Sequence, residues 1–260
     1  MGTKGKILNV DKATPKQIKA NVEIAVIMQA LGIRTGVDYT IEKNFKTLRY
    51  HYVCIVVDAD TDGSHIAGLI LNFFKCIAPS LLYRKNFICA MHTPVVHASV
   101  KGSKKVNTYY TYANFVRDKE TFNFVDIQYS KGLGSLNDKQ IRRYYGAYFS
   151  WFVNDKNGFE SITKAFGPDG ADQRKEWIAD HDSKAVIPLQ EPDSEQKTTL
   201  EIERDISQFI DDELVEHATE NCGRSLPHYG DGLKESQRMI IYTVRKHKFN
   251  TSKKRVKVSQ

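Results

Sequence analysis

The chain lacks the marks of several large protein classes. Its four cysteines, Cys54, Cys76, Cys89 and Cys222, form no CxxC pair, so a disulfide-framed secreted domain is not expected and a reduced, intracellular compartment is. No N-terminal signal pattern is visible, and the longest apolar stretch, Ile66 to Phe74, is interrupted by Asn72 and too short to span a bilayer. No internal repeat is apparent. Acids are almost missing from one end: residues 232–260 hold the single acid Glu235 against nine Lys and Arg.

What is present reads as ordinary soluble globular protein. The 260 residues are 41% hydrophobic and 27% charged, enough for one large or two medium domains. The net charge of +7 is unevenly spread, at +8 over residues 1–185, −9 over 186–231 and +8 over 232–260. Two basic blocks around an acidic one suggest two surfaces facing a polyanion, although solvated charged faces account for the same counts.

Periodicity outlines an α/β fold. Lys4 to Val10 is basic and strand-like. A helix is expected from Thr14, with Pro15 at its first position, Ile18, Val22, Ala25, Val26 and Gln29 along one face, and Gly32 as its stop. Tyr52 to Val57 is a β-branched run of the kind buried in a parallel sheet. The acidic segment Asp58–Asp62 ends it, and Ile66 to Phe74 continues as an apolar helix. Further strands fit Phe87–Met91, Val95–Val100, Thr108–Tyr112 and Phe124–Tyr129. A glycine turn at Lys131–Ser135 precedes a helix from Asp138 to Tyr148. Residues 166–198, rich in Gly, Pro, Asp, Ser and Gln, read as a connector. A helix follows from Asp205, with Ile206, Phe209, Ile210, Leu214 and Ala218 on one face, and another after Asp231-Gly232 carries Ile240, Ile241 and Val244. The domains implied are 1–165, a connector at 166–198, and a mostly helical domain begun at 199–260.

The sharpest motif is Asp58-Ala-Asp60-Thr-Asp62-Gly63. Three carboxylates at alternate positions past a buried strand can converge on a hard divalent cation, and magnesium suits such oxygen donors. An EF-hand begins with the same letters, but its twelfth position is Leu69 here and a strand, not a helix, precedes it. A solvated acidic turn is the remaining structural alternative. His51-x-x-Cys54 with Cys89-x-x-His92 can be drawn as a zinc site, but residues three apart on a strand point to opposite faces. The 131–135 turn lacks the spacing of a nucleotide P-loop. His65 reads as a core or supporting histidine rather than a ligand or base.

In this order the segments resemble the eukaryotic-type type IIA DNA topoisomerases over nearly the whole chain. The matching stretches are Gly5-Lys-Ile-Leu-Asn-Val10, Leu48-Arg-Tyr50, Asp58 through Ile66, Lys131-Gly-Leu-Gly134, Arg174-Lys-Glu-Trp177, and Asp231-Gly-Leu-Lys234 with Gln237-Arg238. The acidic motif alone recurs across the wider TOPRIM superfamily. Asp231–Arg238 following it in one polypeptide is the arrangement of the fused cellular and viral enzymes. The resemblance implies a TOPRIM parallel-sheet domain followed by the beginning of a winged-helix DNA-binding domain. It also implies a homodimeric, ATP-hydrolysing, magnesium-dependent enzyme that passes one duplex through another by way of a phosphotyrosine.

On that resemblance Asp58, Asp60 and Asp62 are the metal ligands of a two-metal type site. Lys4, Lys6, Gln17, Lys131, Lys139, Lys234 and Arg238 approach double-stranded DNA. Lys4 stands where the family usually has arginine, which keeps the charge but loses the bidentate fork. The family's first glutamate motif and its catalytic tyrosine are expected outside residues 1–260, so no catalytic residue is assigned here and this chain alone is expected to be inactive. Arg49-Tyr50 and Arg143-Tyr144 mimic the tyrosine pair without its context. No ATP site is expected in this chain, and no membrane association. A nuclear location is expected, with mitochondrial or viral settings as alternatives. Two rival functions are a non-catalytic TOPRIM DNA-binding module and another TOPRIM enzyme, a nuclease or primase.

Overall fold

A computed structural model describes residues 1–102, 106–181 and 199–249, apart from residues 131, 133 and 135. The chain divides into two compact units, Met1–His217 and Ala218–Gln260.

The first unit opens without the expected strand at Lys4–Val10. Among the described residues that stretch has no ladder partner. It is held by side chains, with Ile7 and Val10 buried, Asn9 Nδ2 donating to the Phe166 carbonyl, and Asn72 donating to Asn9 Oδ1. The helix expected from Thr14 is two helices, α1 (Pro15–Ala20) and α2 (Val22–Leu31). Thr14 and Gln17 form a reciprocal capping box at the first, and Asn21 caps the second through Ile24 N–H. The break at Asn21 turns the inward face from Val22, which is exposed, to Ile24, which is buried. A short α3 (Glu42–Phe45) follows.

The sheet that carries the acidic motif is mixed. Strand β1 (Val53–Val56) leads into α4 (Thr61–Ile77), and β2 (Ile88–Met91) pairs parallel with β1. α4 was legible as an apolar helix because Ala67, Leu71, Phe73 and Phe74 recur on its inner side, all nearly inaccessible. Burying a leucine or phenylalanine of this kind is worth about 1.5–3 kcal/mol over leaving it exposed.

Next comes a separate antiparallel sheet, ordered β4-β3-β5, formed by β3 (Val96–Val100), β4 (Val106–Tyr109) and β5 (Phe124–Tyr129). It has its own small core of Val96, Ala98, Tyr109 and Phe115. The strand expected to reach Tyr112 stops at Tyr109, because Thr111 caps an unforeseen helix, α5 (Tyr112–Lys119).

α6 (Asp138–Tyr144) is shorter than expected, and Tyr148–Val153 forms strand β6, antiparallel to β2. Helix α7 (Gly158–Phe166) then packs on α4. Part of the expected connector is helix α8 (Ala171–Ala179); residues 182–198 lie outside those described. Strand β7 (Leu200–Asp205) pairs parallel with β6 and completes the sheet β1-β2-β6-β7. The α/β expectation therefore holds with a parallel-containing sheet rather than an all-parallel one, and residues from 199 serve the first unit. After β7 the helix starting at Ile206 is α9 (Ile206–Phe209), a π-helical turn (Ile210–Leu214), then α10 (Val215–Ser225), which runs across the unit boundary.

In the second unit, α11 (Glu235–Lys246) follows a turn at Asp231–Leu233. Ile240, Ile241 and Val244 do lie on a helix as expected, but all three are exposed. Among the described residues no helix is long and apolar enough to cross a membrane.

Candidate metal centre and nucleic-acid interface

Strand β1 delivers Asp58 to the carboxyl end of the sheet, where α/β folds place their sites. Asp60 is the N-cap of α4, its Oδ1 accepting from Gly63 N–H at 2.7 Å. The strand end and the helix start touch: a Cβ on Gly63 would lie 2.1 Å from the Asp58 carbonyl oxygen, so only glycine fits this corner. Gly132 also approaches Asp58 closely. A Cβ on Gly132 would come within 2.6–2.7 Å of every atom of the Asp58 carboxyl group.

The three acids do not converge. Asp58 and Asp60 line one cavity of about 770 Å3 together with Thr61, Ser64 and Glu213. Asp62 is turned elsewhere: its Oδ1 meets Lys6 Nζ at 2.8 Å and His217 Nε2 at 3.2 Å. Lys6 Nζ is also 3.0 Å from His217 Nε2. That ring nitrogen can donate to Asp62 or accept from Lys6, but not both at once. Among the described residues no three His, Cys, Asp or Glu side chains are grouped to hold a metal. A residue in the first turn of α4 leaves the helix at a different angle from its cap, and there Asp62 meets Lys6 and His217.

His65 stacks on His217 with ring centroids 4.0 Å apart, and on Phe166 at 5.8 Å. Burial, reinforced by His217 and Lys6, pushes the His65 imidazole down to about 4, so it is neutral at pH 7. It supports the cluster, in line with its reading from sequence. A second support carries no signal in the sequence. Arg204, almost fully buried, pairs with Glu213 and lies 3.8 Å from Asp212. Ser64 Oγ donates to Glu213. The π-turn that carries Asp212 and Glu213 is the kind of helix distortion found at functional sites.

The residues expected on DNA stand in different local settings. Lys4 is exposed and its backbone N–H bonds Glu23. Lys6 is engaged with Asp62, and Gln17 with its capping box. Lys139 is exposed in the first turn of α6. Lys131 lies outside the described residues. In the second unit, Lys234 is the N-cap of α11, and Arg238 grips Asp231 with both ends of its guanidinium, at 2.8 and 2.9 Å. That pair holds the Asp231 carboxyl down to about 2.

Tyr144 is buried, its hydroxyl 3.3 Å from His97 Nδ1 and its ring stacked on His97, an environment for packing rather than for attack on a phosphate. The drawn zinc site is only half assembled. Cys54 and Cys89 are neighbours across β1 and β2, while His92 bonds Ser150 Oγ at 2.6 Å.

The fold is shared with known proteins. A family model described as "Toprim domain" matches residues 1–92, and one described as "C-terminal associated domain of TOPRIM" matches residues 91–222. A protein named DNA topoisomerase 2 from Invertebrate iridescent virus 6 is 34% identical over 99% of this chain and 23% of its own length. One of the same name from Arabidopsis thaliana is 34% identical over 99% of this chain and 17% of its own. The crystal structure of the Plasmodium falciparum topoisomerase II DNA-binding, cleavage and re-ligation domain superimposes with a TM-score of 0.76 at 30% identity, covering 95% of this chain and 33% of that one. This chain therefore spans less than a quarter of these curated relatives' length. It belongs to the TOPRIM family, with a Toprim domain and its C-terminal associated domain in the arrangement of the proteins named DNA topoisomerase 2.

Proposed function

We propose that this chain is the metal- and DNA-binding part of a DNA topoisomerase 2 that cuts and reseals both strands of duplex DNA through a phosphotyrosine. The observation that carries this reading is the pairing of Asp58 and Asp60 on one cavity wall at the carboxyl end of β1.

The donors there fit magnesium. Asp58, Asp60, Thr61, Ser64 and Glu213 offer carboxylates and hydroxyls, and a cation held by only one or two carboxylates keeps positions for water and phosphate oxygens. Asp58 and Asp60 would hold it, and bound there it would offset the charge of a scissile phosphate. Asp62 instead keeps Lys6 and His217 in place. Lys4, Lys139 and Lys234 supply charge toward the phosphate backbone, giving affinity with little sequence choice. Arg238 joins them when it exchanges Asp231 for a phosphate, and the unit from Ala218 onward begins a winged-helix DNA-gripping domain.

The whole enzyme is a homodimer that couples passage of a duplex to ATP hydrolysis, with no ATP site in this chain, and it works in the nucleus or, for a viral enzyme, in an infected cell. This chain alone forms no covalent adduct with DNA through Tyr50 or Tyr144. Calorimetric titration of the chain with magnesium tests the carrying observation. Binding is expected in the native chain and lost in Asp58→Asn; equal binding by both would overturn the site.

A further inference from the structure

Two thiols meet on the sheet where neither the metal site nor the DNA surface uses them. β1 and β2 run parallel with Cys54 in register with Cys89, so both side chains leave the same face. The alternating residues Ile55 and Ile88 point the other way, into the main core. Cys89 is fully buried, and Cys54 keeps partial access to solvent. Trp151, in register with Cys89 on its far side, packs edge-on against Tyr52 and flanks the pair.

Neighbouring strands lie about 4.8 Å apart, inside the range of roughly 4.4–6.8 Å that a disulfide needs between Cα atoms. The Cβ atoms must draw closer than the sheet holds them, to about 3.8 Å. A bond formed here is strained, and strained disulfides are the readily reduced ones.

The two sulfurs already interact. The Cys89 thiol donates to the Cys54 sulfur, which holds Cys54 below the usual thiol range; the same bond, together with burial, pushes Cys89 up. Cys54 is therefore the thiol that ionises and meets solvent, and Cys89 the partner beneath it.

We propose that Cys54 and Cys89 form a peroxide-sensitive modification site that closes reversibly to a disulfide. The Cys54 thiolate attacks one oxygen of hydrogen peroxide; an S–O bond forms, the O–O bond breaks, and hydroxide leaves to be protonated to water. Cys54 is then a neutral sulfenic acid, and the charge that disfavoured ionisation of Cys89 has gone. The Cys89 sulfur attacks the Cys54 sulfur; the S–S bond forms, the S–O bond breaks, and the departing hydroxide takes the Cys89 proton. Two thiols are oxidised and one peroxide is reduced to two waters.

Cys76 is an internal comparison. It is more exposed than Cys54, but burial of its sulfur and the neighbouring Asp11 push its thiol up, and its S–H donates to Asn72 Oδ1 at 3.7 Å. Exposure alone predicts that Cys76 reacts first; thiolate character predicts Cys54.

The test is peptide mapping of the native 260-residue chain after graded hydrogen peroxide, with free thiols alkylated in denaturant before digestion. The expected product is a Cys54–Cys89 linked peptide, lighter by two hydrogens, that appears before Cys76 is consumed and returns to free thiols with dithiothreitol. In Cys89→Ser the sulfenic acid on Cys54 has no partner and is trapped by dimedone. A native chain in which Cys76 is consumed while Cys54 and Cys89 stay alkylatable overturns the proposal. So does one in which Cys54 goes to sulfinic acid with Cys89 still free.

Discussion

Gly132 lies so close to Asp58 that a methyl group there would come within 2.6 Å of the Asp58 carboxyl carbon. The glycine turn after β5 and the acid after β1 are distant in sequence, and their contact fixes where the carboxylate stands. Gly132→Ala forces one of them to move. Overpacking of this kind costs about 1–3 kcal/mol, and if Asp58 yields, magnesium affinity falls by about tenfold or more. Calorimetry with magnesium and a thermal melt of the same variant separate this outcome from unfolding. Unchanged affinity with an unchanged melt would show that the turn, not the acid, gives way.

Asp62 is set apart from the other two acids by its partners. Asp62→Asn is expected to leave magnesium affinity within about twofold, because the ion pair it breaks is with Lys6 and His217 rather than with the cation. Both Lys6 and Asp62 are substantially solvent-exposed, so the cost in stability stays at or below about 1 kcal/mol. Parallel titrations of Asp58→Asn and Asp62→Asn read the difference directly. Equal losses would return Asp62 to the ligand set.

DNA affinity should fall steeply with salt, and the slope reports each phosphate contact. Lys234→Ala is expected to reduce the slope of log K against log salt by about 0.9. Arg238→Ala should reduce it by less, since Arg238 must first release Asp231. Asp231→Asn removes that competitor and should tighten binding. Isotherms at several salt concentrations check all three variants, and a slope unmoved by Lys234→Ala removes Lys234 from the interface.

Acid should destabilise the first unit over a defined window. Burial, helped by the charge of Arg204, pushes His92 down to about 4 from an ordinary value near 6.5. His65 is also pushed to about 4, chiefly by burial, and burial lowers His97 too. Between those values the unfolded chain binds the protons that the folded chain refuses. Stability is therefore complete above about pH 6.5 and lost progressively down to about pH 4, with His92 adding up to about 1.4 kcal/mol per pH unit and the less buried His65 a smaller amount. Denaturant melts of the native chain and His92→Asn across pH 7 to 4 check this, with a shallower slope expected for the variant.

Local chemistry was readable from sequence, and distant pairing was not. Pro15 at the start of α1 and the apolar spacing along α4 lie within a few turns of chain and came out as expected. The helix from Asp138 is expected to end at Tyr148, and the strand Tyr148–Val153 is not anticipated, because its neighbours in the sheet, Cys89–Met91 and Leu200–Asp205, are far away in sequence. The partners of Asp62 are hidden in the sequence for the same reason. Alternation along a loop is visible in the letters, whereas His217 is 155 residues downstream, and only the packing of α10 brings it to Asp62. Arg204 gave no sign of its burial, since its partners Asp212 and Glu213 sit on a π-turn that helical periodicity does not anticipate.

The most direct test of the central claim is plasmid linearisation by the full-length protein carrying Asp58→Asn, across a magnesium titration, with duplex binding measured in parallel. The substitution keeps the side chain's shape and removes the charge that would anchor the cation. Losing about 4 kcal/mol of transition-state stabilisation slows cleavage roughly a thousandfold. Binding should stay within a few-fold, because it rests on lysine and arginine contacts to phosphate. Linearisation at the native rate by Asp58→Asn would contradict the account.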